Sequence, residues 1–83
     1  MGKNSGLPTL DLHGFKKDDV VDAVDKFIMK HHHRERVRIM PGKGAGIVRQ
    51  EVVRYLKQGG YPWAHEELPS GDKNTGVLVV FLA

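Results

Sequence analysis

The 83-residue chain has no cysteine, which excludes a disulfide scaffold and any thiolate metal site and places no demand on the redox compartment. It also lacks an apolar run approaching the length of a membrane span, and its start, "MGKNSGLP", has no apolar core of the kind a signal peptide carries. A soluble, cytoplasmic domain that does not enter a membrane is the expectation. Internal repeats and low-complexity segments are missing too. What is present is a chain 40% hydrophobic and 28% charged. That is rich enough in Val, Ile, Leu and Phe to exclude disorder, and short enough for one domain with a modest core. Residues 1–8, polar and glycine-containing, read as a disordered tail, and residues 9–83 as the single domain.

The net charge of +3 is unevenly distributed. Residues 30–57 carry eight basic side chains against Glu35 and Glu51, a local net of +6, whereas residues 1–29 hold four lysines against five aspartates, a net of −1. A concentrated basic segment on an otherwise balanced domain is the footprint of a phosphate-rich partner, although a solvated basic face has the same composition.

The hydrophobic pattern predicts six elements. "TLDL" at 9–12 alternates as a short strand and is broken by Gly14. Asp18 or Asp19 then caps a helix whose apolar stripe is Val20, Ala23, Val24, Phe27 and Ile28, ending in "KHHHR". "RVRIM" at 36–40 alternates again before Pro41 and Gly42. A second helix follows, with Ile47, Val48, Val52, Tyr55 and Leu56 as its inner stripe, and "GGYP" stops it. "WAHEEL" is a weaker strand, "PSGDKNTG" a loop, and "VLVVFL" a strand apolar on both faces, which suits a central place in the sheet. The order β-α-β-α-β-β, with the first two strands parallel across a helical connection, implies a two-layer α/β sandwich: a four-stranded mixed sheet with two helices on one face.

Parallel strands end at the same sheet edge, and open α/β sheets place ligands outside that edge. The turns "DLHG" and "PGKG" both fall there. Asp11 and His13 share one face of their strand, and Arg36 and Arg38 project from the same face of the neighbouring strand, so an acid, an imidazole and a guanidinium are candidates to converge. Gly42, Lys43 and Gly44 open the second helix, where backbone N–H groups, the helix N-terminus and a lysine charge suit an anion; Arg49 follows one turn later.

With "LDLHG", then a strand, "GKG" and the helix "IVRQEVVRYLK", and a closing "GVLVVFL", the chain resembles the small MutS-related (Smr) domains over roughly residues 9–82. The resemblance implies the β-α-β-α-β-β sandwich, related in shape to the C-terminal domain of a translation initiation factor. It also implies a nucleic-acid partner, DNA or RNA: many members bind or nick nucleic acid, some as the end of MutS-like ATPases and some on ribosome-bound messenger RNA. Asp11 and His13 then take the DLH positions, and Gly42, Lys43 and Gly44 the glycine loop. Pro41 departs from the polar residue many members have there and supplies no N–H to a phosphate. The glycine-rich turn before the last strand is diluted to "SGDKNTG".

Two functions follow. In the first, the domain is an endonuclease in which His13 moves a proton, Asp11 is its partner, and Lys43 with Arg38 and Arg49 meets phosphate. In the second, the same basic surface binds nucleic acid or the ribosome without chemistry. A divalent metal ion is left open as a cofactor, since one Asp and one His make an incomplete shell, and no metal ligands are assigned. The triple histidine at 31–33 ends a helix, where adjacent side chains diverge and cations complement the dipole, so it reads as a solvated terminus. Trp63 reads as partial core and His65 as surface. The two-faced final strand leaves the open sheet face to be covered either by side chains of the third strand and the loop, or by a missing segment or a second subunit.

Overall fold

The computed structural model describes residues 7–42 and 46–82. Its elements are β1 (Thr9–Asp11), α1 (Lys17–Lys30), β2 (Arg36–Met40), α2 (Ile47–Gly59), β3 (Trp63–Glu67) and β4 (Lys73–Phe81). The sheet order is β1-β2-β4-β3. β1 pairs parallel with β2, and β4 pairs antiparallel with both β2 and β3. This is the mixed sheet expected from the sequence, with the most apolar strand inside it. Residues 1–6, most of the expected tail, lie outside the described residues; the Pro8 carbonyl accepts the Arg38 N–H at 2.9 Å.

Alternation decides which way each strand faces. Leu10 is opposite Ile39, and Val37 opposite Val80. These side chains meet Val20, Val24 and Ile28 of α1 and Val52 and Leu56 of α2 in one core that also takes in Leu12 and Leu78. Both helices therefore cover the same sheet face, held by the burial of their apolar stripes. A hydrogen bond of 2.5 Å from the Tyr55 hydroxyl to Asp25 links the two helices. Burial, then the hydrogen bond and charge of Asp25, pushes the pKa of Tyr55 well above its ordinary value.

Three local features differ from the sequence reading. α1 starts at Lys17 behind an extended Lys16 with no side-chain cap, so Asp18 and Asp19 lie in the first turn. There they favour the helix through its dipole instead of capping it. Ile47, the first residue of α2, does not join the inner stripe and is half exposed, because it lies to one side of the stripe that Val48, Val52 and Leu56 form. β4 reaches back to Lys73: a bulge between His65 and Glu66 resets the register so that Glu66 pairs with Asn74 and Glu67 with Lys73. The expected loop thus shrinks to a turn in which Leu68 N–H donates to the Asp72 carbonyl and Gly71 N–H to that of Leu68.

Val77 and Val79 point away from the helices yet are only 3% and 5% exposed. Arg38 of β2 and Glu66 of β3 reach across the intervening β4 to each other. Arg38 Nη2 donates to Glu66 Oε1 at 2.9 Å, and Nε lies 2.8 Å from Oε2 without an aligned N–H. Val79 is opposite Arg38 in the register, so a pair that spans β4 on this face accounts for cover over the valines from the flanking strands. At the far end of α1, His31 packs edge-on against Phe27, while His32 contacts the Met29 carbonyl and meets the ring of His33 edge-on, so the three histidines do not all point one way.

Candidate functional site

The pairing of β1 with β2 ends at Asp11 opposite Met40, and the Leu12 N–H continues it by donating to the Met40 carbonyl at 2.9 Å. Leu12 turns into the core, which forces the chain over the sheet edge at the next residue. Two bonds make that turn rigid: the Asp11 carboxylate accepts the His13 backbone N–H at 2.9 Å, and the Phe15 N–H donates to the Leu12 carbonyl at 3.0 Å. The first is the local Asx geometry that aspartate favours. Asp11 therefore acts on the backbone of His13, and the imidazole is left exposed. Among the described residues the ring makes no hydrogen bond.

The neighbouring strand delivers its turn against this one. Pro41 is buried, and Gly42 has φ +88°. A Cβ added at Gly42 would lie 3.4 Å from the His13 Cα and 3.8 Å from its Cβ. Glycine is favoured here by the left-handed backbone, and the two turns lie close enough that an added Cβ would reach van der Waals contact with His13. Lys43 and Gly44 lie outside the described residues. Between the two turns and the start of α2 is an open pocket of about 200 Å³ whose walls include His13, Phe15, Gly42, Ile47 and Arg49.

Arg49 has left the wet face of its helix. Its Nη1 donates to the Thr75 carbonyl at 2.7 Å, its Nη2 donates to His65 Nε2, and its guanidinium lies 5.9 Å from the centre of the Trp63 ring. Since arginine cannot accept, Nε2 of His65 is the acceptor and Nδ1 carries that ring's proton. Arg49 thus stands at the pocket with its charge oriented by two strands. Arg38 is held elsewhere. Thr9, its partner in β1, precedes Asp11 by two residues, and its guanidinium is engaged by Glu66 and the Thr9 hydroxyl. The expected convergence of Arg38 with Asp11 and His13 therefore does not form, because a carboxylate directly across β4 takes the guanidinium first.

The structure brings together His13, Gly42 and Arg49, with Asp11 behind His13. Sequence reasoning did not single out Phe15, Ile47 or the link from His65 to Arg49. Phe15 left a signal as an apolar residue immediately after the DLHG turn, whereas the sequence pattern assigns Ile47 to the inner stripe of the second helix. Among the described residues no three His, Cys, Asp or Glu side chains gather to hold a metal ion, and no helix is long and apolar enough to cross a membrane.

Comparison with known proteins adds the kinship. The family model for the Smr domain matches residues 10–83. The chain belongs to the Smr domain family. This Smr domain is 30% identical over 77 residues to a protein named Endonuclease MutS2 from Clostridium perfringens, and 29% identical over 76 residues to the one from Caldicellulosiruptor bescii. These alignments cover 90% and 89% of the chain but 10% of each relative, so the Smr domain spans about a tenth of their length. Its fold matches the crystal structure of the Smr domain of Thermus thermophilus MutS2 with a TM-score of 0.76 at 25% identity, covering 93% of this chain and 99% of that one.

Proposed function

We propose that this chain binds nucleic acid through its phosphodiester backbone at the pocket between the two turns and that it cleaves the bound strand. The observation that carries the proposal is the contact of Gly42 with His13. It brings an exposed imidazole, a glycine turn at the start of a helix and the guanidinium of Arg49 to one sheet edge. Kinship with proteins named endonucleases supports the choice of reaction. His13 takes the proton from a water or a ribose 2′-hydroxyl as that oxygen forms its bond to phosphorus. The bond to the leaving oxygen breaks, and a proton is returned to it. Arg49 and Lys43 balance the charge that grows on the phosphoryl oxygens. Asp11 is a positioning residue, since it fixes the backbone that presents the imidazole. Asp11 and His13 alone would leave most of a divalent ion's shell to water and substrate oxygens, so no step is assigned to a metal.

A second reading, a binding module without chemistry, is favoured by one feature: no described side chain orients the ring of His13, as a general base usually requires. One comparison separates the two. His13→Ala should abolish the cut product on a gel while fluorescence anisotropy shows binding within a few-fold of wild type. A wild-type chain that binds tightly and never cuts leaves the binding module, and a His13→Ala variant that cuts as fast as wild type refutes the assignment of His13.

A further inference from the structure

We propose that the pocket beside His13 holds a nucleobase, with Phe15 and Ile47 as its stacking walls, so that the preferred ligand is a strand with a nucleotide outside its base stack. This rests on the nucleic-acid reading above and specifies the form of nucleic acid.

The argument starts from two side chains in the wrong place for a core. Phe15 is 40% exposed and Ile47 50% exposed, and both line the pocket that His13, Gly42 and Arg49 also line. Single exposed apolar residues need no explanation, and Met29, Leu68 and Phe81 are of that kind. Two that line the same pocket, one from the turn after β1 and one from the start of α2, form a surface. Phe15 is also held in place, because its N–H is tied to the Leu12 carbonyl within the turn that presents His13.

The occupant follows from the pairing of apolar walls with charge. An apolar ligand would waste Arg49, and a bare phosphate would waste Phe15 and Ile47. A nucleotide satisfies both, because its flat π-face is separated from its own phosphate by a single sugar. Stacking on an aromatic side chain is sequence-tolerant and needs the face of the base to be free, which an intact duplex denies. At about 200 Å³ the pocket suits one base and not a helix or a peptide strand.

The test uses the 83-residue chain with a single-stranded oligonucleotide carrying 2-aminopurine, the same sequence as a blunt duplex, and the variants Phe15→Ala, Phe15→Tyr and Ile47→Ser. Wild type should bind the single strand more tightly than the duplex at equal salt and change the 2-aminopurine emission. Phe15→Ala should bind the single strand roughly tenfold more weakly, lose that emission change and keep the wild-type salt slope, because no phosphate contact has been removed. Phe15→Tyr should restore both signals, and Ile47→Ser should weaken them in part. Equal binding of both strand forms by wild type and Phe15→Ala, with the same emission, overturns the stacking site and leaves phosphate binding intact. Failure of wild type to bind either form overturns the nucleic-acid reading together with it.

Discussion

Substituting Gly42 by alanine tests whether the contact of the two turns is what makes the site. The backbone there has φ +88°, and an L-residue in the left-handed region costs about 1–2 kcal/mol. The added methyl would also meet His13, 3.4 Å from its Cα and 3.8 Å from its Cβ and N. These are ordinary van der Waals distances, so the methyl itself fits against His13, and it is the relief of the left-handed backbone strain that shifts the turn against its neighbour. Gly71 supplies the control: its φ is +94°, nothing lies within 4 Å of an added Cβ, and it is in the β3–β4 turn, away from the pocket. Both variants should lose about 1–2 kcal/mol, which for a domain of this size lowers the melting temperature by roughly 4–16 °C. Circular dichroism melts measure that loss, and binding and cleavage are then assayed at a temperature where both variants are folded. Gly71→Ala should perform as wild type. Gly42→Ala should lose between severalfold and about a hundredfold in cleavage, the range expected when a catalytic group is displaced by up to an ångström. If the two variants melt alike and work alike, the approach of Gly42 to His13 has no part in the site. If neither loses stability, the strain argument itself is wrong.

Glu66→Gln keeps the shape of the side chain but removes the charge facing Arg38 on the covered sheet face, where the two side chains are 23% and 12% exposed; a loss of about 1–3 kcal/mol is expected, and an unchanged urea midpoint would contradict it. Tyr55 has a folded-state pKa raised above its ordinary 10.0, so its contribution is complete below pH 10 and disappears as the pH climbs through the raised value. Wild type should therefore lose more stability between pH 9 and 11 than Tyr55→Phe, and parallel pH curves for the two would exclude the effect. Lys43→Ala and Arg49→Ala should each weaken binding to any single strand and lower the slope of log K against log salt by about 0.7; a variant that binds as wild type at every salt concentration removes that residue from the phosphate contacts.

Much of the scaffold was legible because its signals are local. The alternation in "RVRIM", the stripe from Val20 to Ile28 and the two-faced "VLVVFL" each report burial over a few residues, and the core contains Val20, Val24, Ile28, Val37, Ile39, Leu78 and Val80. The meeting of the DLHG and PGKG turns was legible for a related reason: two parallel strands must end at one edge, and glycine marks where a backbone comes close. Arg38 was misplaced for the opposite reason. Its face was inferred correctly from the pleat, but a long side chain chooses among partners that the pleat does not name.

The sequence by itself determined the order of the elements, the parallel pairing of the first two strands, the central position of the last, and the Smr kinship carried by the two motifs. Periodicity and turn chemistry act within one helical turn or one pleat, so they survive in a linear reading. Only the tertiary structure decided that Arg38 pairs with Glu66 across β4, that His65 and the Thr75 carbonyl hold Arg49 at the pocket, and that Phe15 and Ile47 both line it. The first two depend on strand register, and on a bulge between His65 and Glu66 that resets it. Register is settled when the whole sheet packs against both helices, because the burial of one strand's apolar face is then balanced against every other's.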